Sequence, residues 1–191
     1  FNLKGKTVII TGSSRGIGLE IARAFYQNEA NVYLLARSKQ CSELVLNKNY
    51  YQCDLNNSNK FKSICKKIKN ENKRIDVLVN CVGITGSLKK KDNIYNIFKT
   101  NLFSIHDACD IYKNFVNTKI GGSIINIGSI GSKIGFPGNP GYVSSKFALL
   151  GLSKSLAIDL QKKNIRVNSI LPGYIKTKMK IKNFENKKEN K

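Results

Sequence analysis

The 191-residue sequence predicts an α/β fold, a doubly wound parallel sheet with helices on both faces. Three observations carry this expectation. Short β-branched runs alternate with longer stretches of helical periodicity, the pattern of a parallel sheet covered by its own crossover helices. Two of the runs, Thr7–Thr11 (TVIIT) and Asn31–Ala36 (NVYLLA), are almost continuously apolar, as strands buried on both faces must be. Neither repeats nor interdomain linkers interrupt the alternation. Residues 1–180 therefore read as one domain, and 181–191, polar and charged, as a solvated or frayed tail.

Thr7–Thr11 is the first strand. Leu19, Ala22, Phe25 and Tyr26 then recur at helical spacing and mark the inner face of the first helix. The second strand, Asn31–Ala36, leads into a short helix around 39–47. A third strand covers 50–53, and Phe61, Ile64, Cys65 and Ile68 define one face of the helix behind it. Residues 75–80 (IDVLVN) form the fourth strand, and a long helical segment runs over about 94–116. Gly121 and Gly122 introduce the fifth strand, 123–127. The clearest helix spans about 142–162, with Phe147, Leu150, Leu156 and Leu160 on a common face. Ile165–Ile170 is the sixth strand, stopped by Pro172 and Gly173.

The turn between the first strand and first helix reads Thr11-Gly12-Ser13-Ser14-Arg15-Gly16-Ile17-Gly18. Gly12 permits a sharp turn, Gly16 lets the backbone approach a pyrophosphate, and Gly18 lets the helix pack close to the sheet. Free N–H groups at the helix start then face the anion, as in Rossmann-like dinucleotide sites. At the end of the second strand an Asp or Glu would accept from the 2′-hydroxyl of NAD. This chain has Leu35-Ala36-Arg37-Ser38 there, with Arg15 nearby. Two guanidinium groups and no carboxylate suit a 2′-phosphate, so NADP(H) is the expected cofactor.

Composition narrows the class. Hydrophobic residues make up 41% of the chain and charged ones 24%, which a packed domain needs and a disordered chain lacks. No apolar run approaches the ~20 residues that cross a bilayer. Five cysteines, an odd number without a C-x-x-C pair, argue against a disulfide framework or zinc site and for a reducing compartment; no metal is expected. The formal charge is +21, yet the lysines are dispersed among asparagines and isoleucines and no aromatic-studded basic motif occurs. That pattern is a compositional bias rather than a nucleic-acid surface; only 176–191 resembles a basic tail. The chain opens on Phe1, so any targeting leader lies outside it.

Further along stand Asp54 after the third strand, Asn80-Cys81-Val82-Gly83 after the fourth, and Asn101 in the long helix. Ser129 follows the fifth strand, Tyr142-x-x-x-Lys146 opens the next helix thirteen residues on, and Pro172-Gly173 follows the sixth strand. With the glycine turn, these motifs resemble the short-chain dehydrogenase/reductase family over residues 2 to about 179. Cys81 and Val82 replace the usual Asn and Ala, while Asn80 and Gly83 are kept. The resemblance implies that Tyr142 is the acid/base at the carbonyl oxygen and that Ser129 hydrogen-bonds that oxygen. Lys146 binds the nicotinamide ribose, and Asn101 holds a proton-relaying water. Cofactor contacts fall to Gly12, Ser14, Arg15, Gly16, Ile17, Gly18, Arg37, Asp54, Leu55, Asn80, Gly83, Tyr142, Lys146, Pro172, Gly173, Ile175 and Thr177. Of these, Asp54 lies where the family binds adenine and Thr177 where it contacts the carboxamide. His106, five residues past Asn101, reads as an ordinary helix residue.

The chemistry is coherent. A phenol of pKa ~10 transfers protons poorly at neutral pH unless its anion is favoured. Tyr142 and Lys146, four apart, share a helix face, so the ammonium and an oxidised nicotinamide are expected to lower the phenol pKa.

Family members continue past Pro172-Gly173 into helices over the substrate and a seventh strand, so the resemblance predicts a sheet lacking that lid and edge. Within the family, the blocks GGSIINIGSI, SKFALLGLSKSLA and NIRVNSILPGYIKTKM most resemble 3-oxoacyl-acyl-carrier-protein reductases and mitochondrial carbonyl reductases. The implied reaction is NADPH-dependent reduction of a 3-oxoacyl thioester. Acidic acyl carrier protein is the implied partner, with Lys119, Lys162 and Lys163 as contacts. A homo-oligomer, dimer or tetramer, is implied for a full-length chain. Reduction of quinones, small ketones or hydroxysteroids, and a truncated non-catalytic cofactor-binding subunit, are the other readings. Mitochondrial matrix and cytosol fit the reduced cysteines equally.

Overall fold

The computed structural model describes residues 2–41, 48–85 and 94–176. The elements are β1 (Thr7–Thr11), α1 (Gly16–Gln27), β2 (Asn31–Ala36), β3 (Tyr50–Gln52), α2 (Ser58–Asn72), β4 (Val77–Asn80), α3 (Ile94–Phe98), α4 (Ser104–Tyr112), β5 (Gly122–Ile127), α5 (Pro140–Asp159) and β6 (Ile165–Ile170). All strands pair in parallel, in the order β3-β2-β1-β4-β5-β6. The winding reverses between β1 and β4, and at such a reversal a crevice opens beyond the carboxyl ends of the strands.

Alternation along each strand feeds two cores. Val8 and Ile10 of β1 join Leu19 and Ala22 of α1 on one face. Ile9 joins Phe61, Ile105 and Leu149, from α2, α4 and α5, on the other. Burying side chains of this size stabilises by roughly 1.5–3 kcal/mol each. At the amino ends of the strands, Asp76 is buried, accepts from Thr7 N at 2.9 Å and pairs with Arg74. The Tyr112 hydroxyl donates to the Asp76 carbonyl at 2.7 Å and accepts from Ser123 N at 3.2 Å. This knot ties α4 to β4 and β5.

Several expectations need correction. Tyr26 lies outside the buried face of α1, at 50% exposure. Phe147 of α5 is exposed and Leu150 only half-buried; the buried arc is Ser145, Lys146, Leu149 and Ser153. Polar residues that hydrogen-bond across the core hide that face from an apolar count. The segment expected over 94–116 is helical only to Tyr112, and a π turn at Lys99–Phe103 separates α3 from α4. The third strand ends at Gln52 and the fourth begins at Val77. Residues 37–41 are not helical, and the rest of the helix expected over 39–47 lies outside the described residues, as do Thr177 and the 181–191 tail.

Candidate active site

The glycine turn closes against the next strand. Gly12 has φ +68°, and a Cβ there would stand 2.8 Å from the Cys81 backbone. At Gly18 a Cβ would come within 2.4 Å of the Gly12 carbonyl oxygen, so α1 sits on its own turn at a separation only glycine allows. Gly12 N also donates to Leu35 O at 2.8 Å, binding the turn to the end of β2. Arg15 occupies the N-cap of α1 without a side-chain cap, and the first turn, Gly16 and Ile17 included, carries no acidic residue. The open N–H groups at the start of α1, with no acidic side chain in its first turn, fit a pyrophosphate. Arg15 and Arg37 are exposed beside it.

Other predicted cofactor residues divide. Leu55 is buried after β3. Asp54 is exposed, its Oδ1 accepting from the Asn56 backbone and side-chain amides, each at 3.0 Å. Asn80 points into the sheet instead of the crevice. Its amide donates to Asn126 Oδ1 at 2.9 Å and to the Cys109 thiol, and its oxygen faces the Thr11 hydroxyl. Asn126 in turn donates to Ser153 Oγ at 2.9 Å, fastening α5 to the sheet. The Asn80 side chain is thus structural; it is fully buried among partners that use its donors.

The four residues expected to do chemistry converge beyond β4 and β5. Ser129 caps a short 3-10 turn, Ile130–Ser132, and its Oγ accepts from Gly131 N at 3.1 Å, with the Tyr142 side chain near enough to feel it. Tyr142 stands half-buried in the first turn of α5, set by Pro140 at the helix start. Lys146 follows one turn later, 4% exposed, its Nζ donating to Ile127 O at 2.9 Å and lying 5.8 Å from the Tyr142 ring centroid. Gly83 leaves room beside them: a Cβ there would be 3.5 Å from Lys146 Nζ and 3.6 Å from Asn101 Oδ1. Pro172 joins through its carbonyl, which accepts from Ile130 N at 2.9 Å, whereas Gly173 and Ile175 are exposed.

Asn101 sits buried in the π turn. Its Oδ1 accepts from Ile84 N at 2.8 Å and its Nδ2 donates to Ile84 O at 2.9 Å and Ser145 Oγ at 3.0 Å. Both side-chain donors are spent on protein, so the side chain clamps the strand end to α5, and only its oxygen has a lone pair left for a water. Ser145, which periodicity could not single out, completes the clamp by donating to Tyr142 O at 2.7 Å. Phe136 was missed too; it lies against Tyr142 at 6.3 Å between centroids and walls that side. Its only sequence signal is its place between Ser129 and Tyr142.

The electrostatics follow burial. Lys146 is brought down to about 8 because burial disfavours its ammonium. The same cause pushes Cys81, beside Lys146, up to about 11. Tyr142 is held above the usual phenol range by burial, with Ser129 acting the other way. The direction is opposite to the lowering expected from Lys146 and the cofactor, because burial sets it in the protein alone. His106 is exposed beside Asp107, away from the site. Among the described residues no cluster of His, Cys, Asp or Glu could hold a metal, no cysteine is in a disulfide, and no helix is long and apolar enough to cross a membrane.

Known proteins share this arrangement. The family model for short chain dehydrogenases matches residues 6–188. The 3-oxoacyl-acyl-carrier-protein reductase FabG of Chlamydia pneumoniae is 33% identical over 190 residues, covering 93% of this chain and 76% of that protein. Carbonyl reductase family member 4 of Xenopus laevis is 34% identical over 185 residues, covering 91% and 77%. Among solved structures, the aldohexose dehydrogenase of Thermoplasma acidophilum superposes with a TM-score of 0.85 at 30% identity, covering 96% of this chain and 72% of that one. ElxO, solved with NADP bound, gives 0.84 at 30% identity, covering 96% and 79%. With the glycine cradle, the reversed winding and the Ser129–Tyr142–Lys146 cluster in place, the chain belongs to the short-chain dehydrogenase/reductase family of oxidoreductases.

Proposed function

We propose that this chain reduces a 3-oxoacyl thioester, carried on acyl carrier protein, to its 3-hydroxyacyl form with NADPH. The observation that carries the reading is the gathering of Ser129 and Tyr142 beside a buried Lys146, whose Nζ lies 5.8 Å from the Tyr142 ring centroid, beyond the carboxyl end of β5. Similarity to 3-oxoacyl-acyl-carrier-protein reductases supports the substrate class. Arg15 and Arg37, with no carboxylate among residues 12–18 or 35–41, support the 2′-phosphorylated cofactor.

Residues 12–18 hold the cofactor's phosphates, and Lys146 its ribose hydroxyls. When bound, NADPH supplies the hydride that the carbonyl carbon gains. Ser129 Oγ donates to the carbonyl oxygen and fixes its place. Tyr142 Oη gives that oxygen its proton as the alcohol forms, and the Lys146 ammonium favours the phenolate left behind. Asn101 and Ser145 hold Tyr142 and Ile84 in register. Residues 1–180 act as one catalytic domain in this reading.

The test is NADPH oxidation with an acetoacetyl thioester on acyl carrier protein. Tyr142→Phe is expected to lose about 10²–10⁴-fold in turnover, the usual contribution of a general acid, while still binding NADPH. Turnover that survives the substitution removes the proposed role. Similarity to carbonyl reductase family member 4 favours a second reading, reduction of free ketones or quinones. Faster turnover of those than of the carrier-linked thioester would select it.

A further inference from the structure

Arg37 carries the 2′-phosphate reading, yet it stands in an exposed bend just past β2. The neighbouring strand holds that bend in an unusual way. β3 is only three residues long, and its register ends at Ala36↔Gln52. Beyond that point three successive carbonyls are each caught from the β3 side. Cys53 N donates to Ala36 O at 2.8 Å. Gln52 Nε2 donates to Arg37 O at 2.9 Å, and Tyr50 Oη donates to Ser38 O at 2.8 Å. Two side chains thus continue the ladder where the backbone stops.

Tyr50 does more than hold one carbonyl. Its hydroxyl also lies 2.8 Å from Ser38 Oγ, so one phenol holds both the backbone and the side chain of Ser38. Its ring packs against the core beneath β1, β2 and α1, so the hydroxyl stands on a fixed post. Gln52 is two residues away along β3, hence on the same side of the strand.

We infer that Tyr50 and Gln52 are positioning residues for 2′-phosphate recognition: they hold the Arg37–Ser38 bend against β3, so that the backbone carrying Arg37 meets the phosphate without first being ordered. This rests on the reading of Arg15 and Arg37 as partners of that phosphate. A bend ordered in advance helps only ligands that use it, because ordering a loop on binding otherwise opposes affinity. NADH, lacking the phosphate, gains nothing from the clamp.

The experiment is a calorimetric titration of wild type, Tyr50→Phe, Gln52→Ala and Arg37→Ala with NADPH, NADH, 2′,5′-ADP and 5′-AMP. Tyr50→Phe keeps the ring in the core and removes only the hydroxyl. It is expected to weaken NADPH and 2′,5′-ADP by about three- to tenfold, the worth of one or two hydrogen bonds, and to leave NADH and 5′-AMP unchanged. Gln52→Ala is expected to act in the same direction. Equal weakening of all four ligands, or of none, overturns the clamp. If Arg37→Ala erases the preference for the phosphorylated ligands while both β3 variants keep it, only the clamp falls. A wild type that binds NADPH and NADH alike removes the 2′-phosphate reading and the clamp together.

Discussion

Lys146 puts a pH dependence into the site. Burial brings it from 10.5 down to about 8, so the folded protein keeps the ammonium below that pH and loses it above. Reduction, which draws on that charge to favour the phenolate, is expected to fall in kcat/KM as pH rises through about 8. A profile that stays flat from neutral pH into the lysine range would remove the charge from the mechanism. The sign for stability is opposite. Between about 8 and 10.5 the unfolded chain binds the extra proton, so this group makes stability rise with pH while activity falls. At this scale the sequence was legible where motif spacing names a residue, as for Ser129, Tyr142 and Lys146. It was illegible where a role depends on which way a side chain turns. Asn80 has the motif's identity but points into the sheet, and Ser145 and Tyr50 match no pattern until their partners arrive from distant segments.

At the scale of elements, α1 and β1 are the pair on which the cofactor cradle depends. A Cβ at Gly18 would stand 2.4 Å from a backbone oxygen, which no side-chain motion relieves. Gly18→Ala is therefore expected to lose about 1–3 kcal/mol of stability, as overpacking does, and to weaken NADPH binding with it; thermal melts and titration check both. Strands were the most legible elements. Val8, Ile9 and Ile10 are apolar in succession because helices cover both faces, and their β-branched side chains in so short a run favour a strand over a buried helix. Helix faces were less so. α5 buries Ser145, Lys146, Leu149 and Ser153 on its inner arc; of the apolar positions counted, Leu156 and Leu160 reach the core while Phe147 faces outward, so the count placed the face only in part. The π turn at Lys99–Phe103 is invisible for another reason: it is sustained by Asn101 reaching Ile84, a contact between segments that spacing within one helix does not encode.

At the scale of the molecule, the net charge of +21 bears on the proposed use of an acidic carrier. Lys119, Lys162 and Lys163 precede β5 and β6, so they stand at the strand ends opposite this chain's own Ser129 and Tyr142, about 20 Å away along six residues of strand. Lys163→Glu is expected to lower kcat/KM for the carrier-linked substrate, more at low salt than at high, and to leave a free acetoacetyl thioester unaffected. An equal effect on both substrates would remove the docking role. The Asp76–Tyr112 knot occupies the same far end of the strands, and it shares no residue with the crevice. Inheritance can therefore edit the two ends on separate schedules. Loops around Phe136 and Pro172 are free to drift toward a new substrate while the anchor below them keeps the chain folded, and a lineage can change its chemistry without first relearning how to fold.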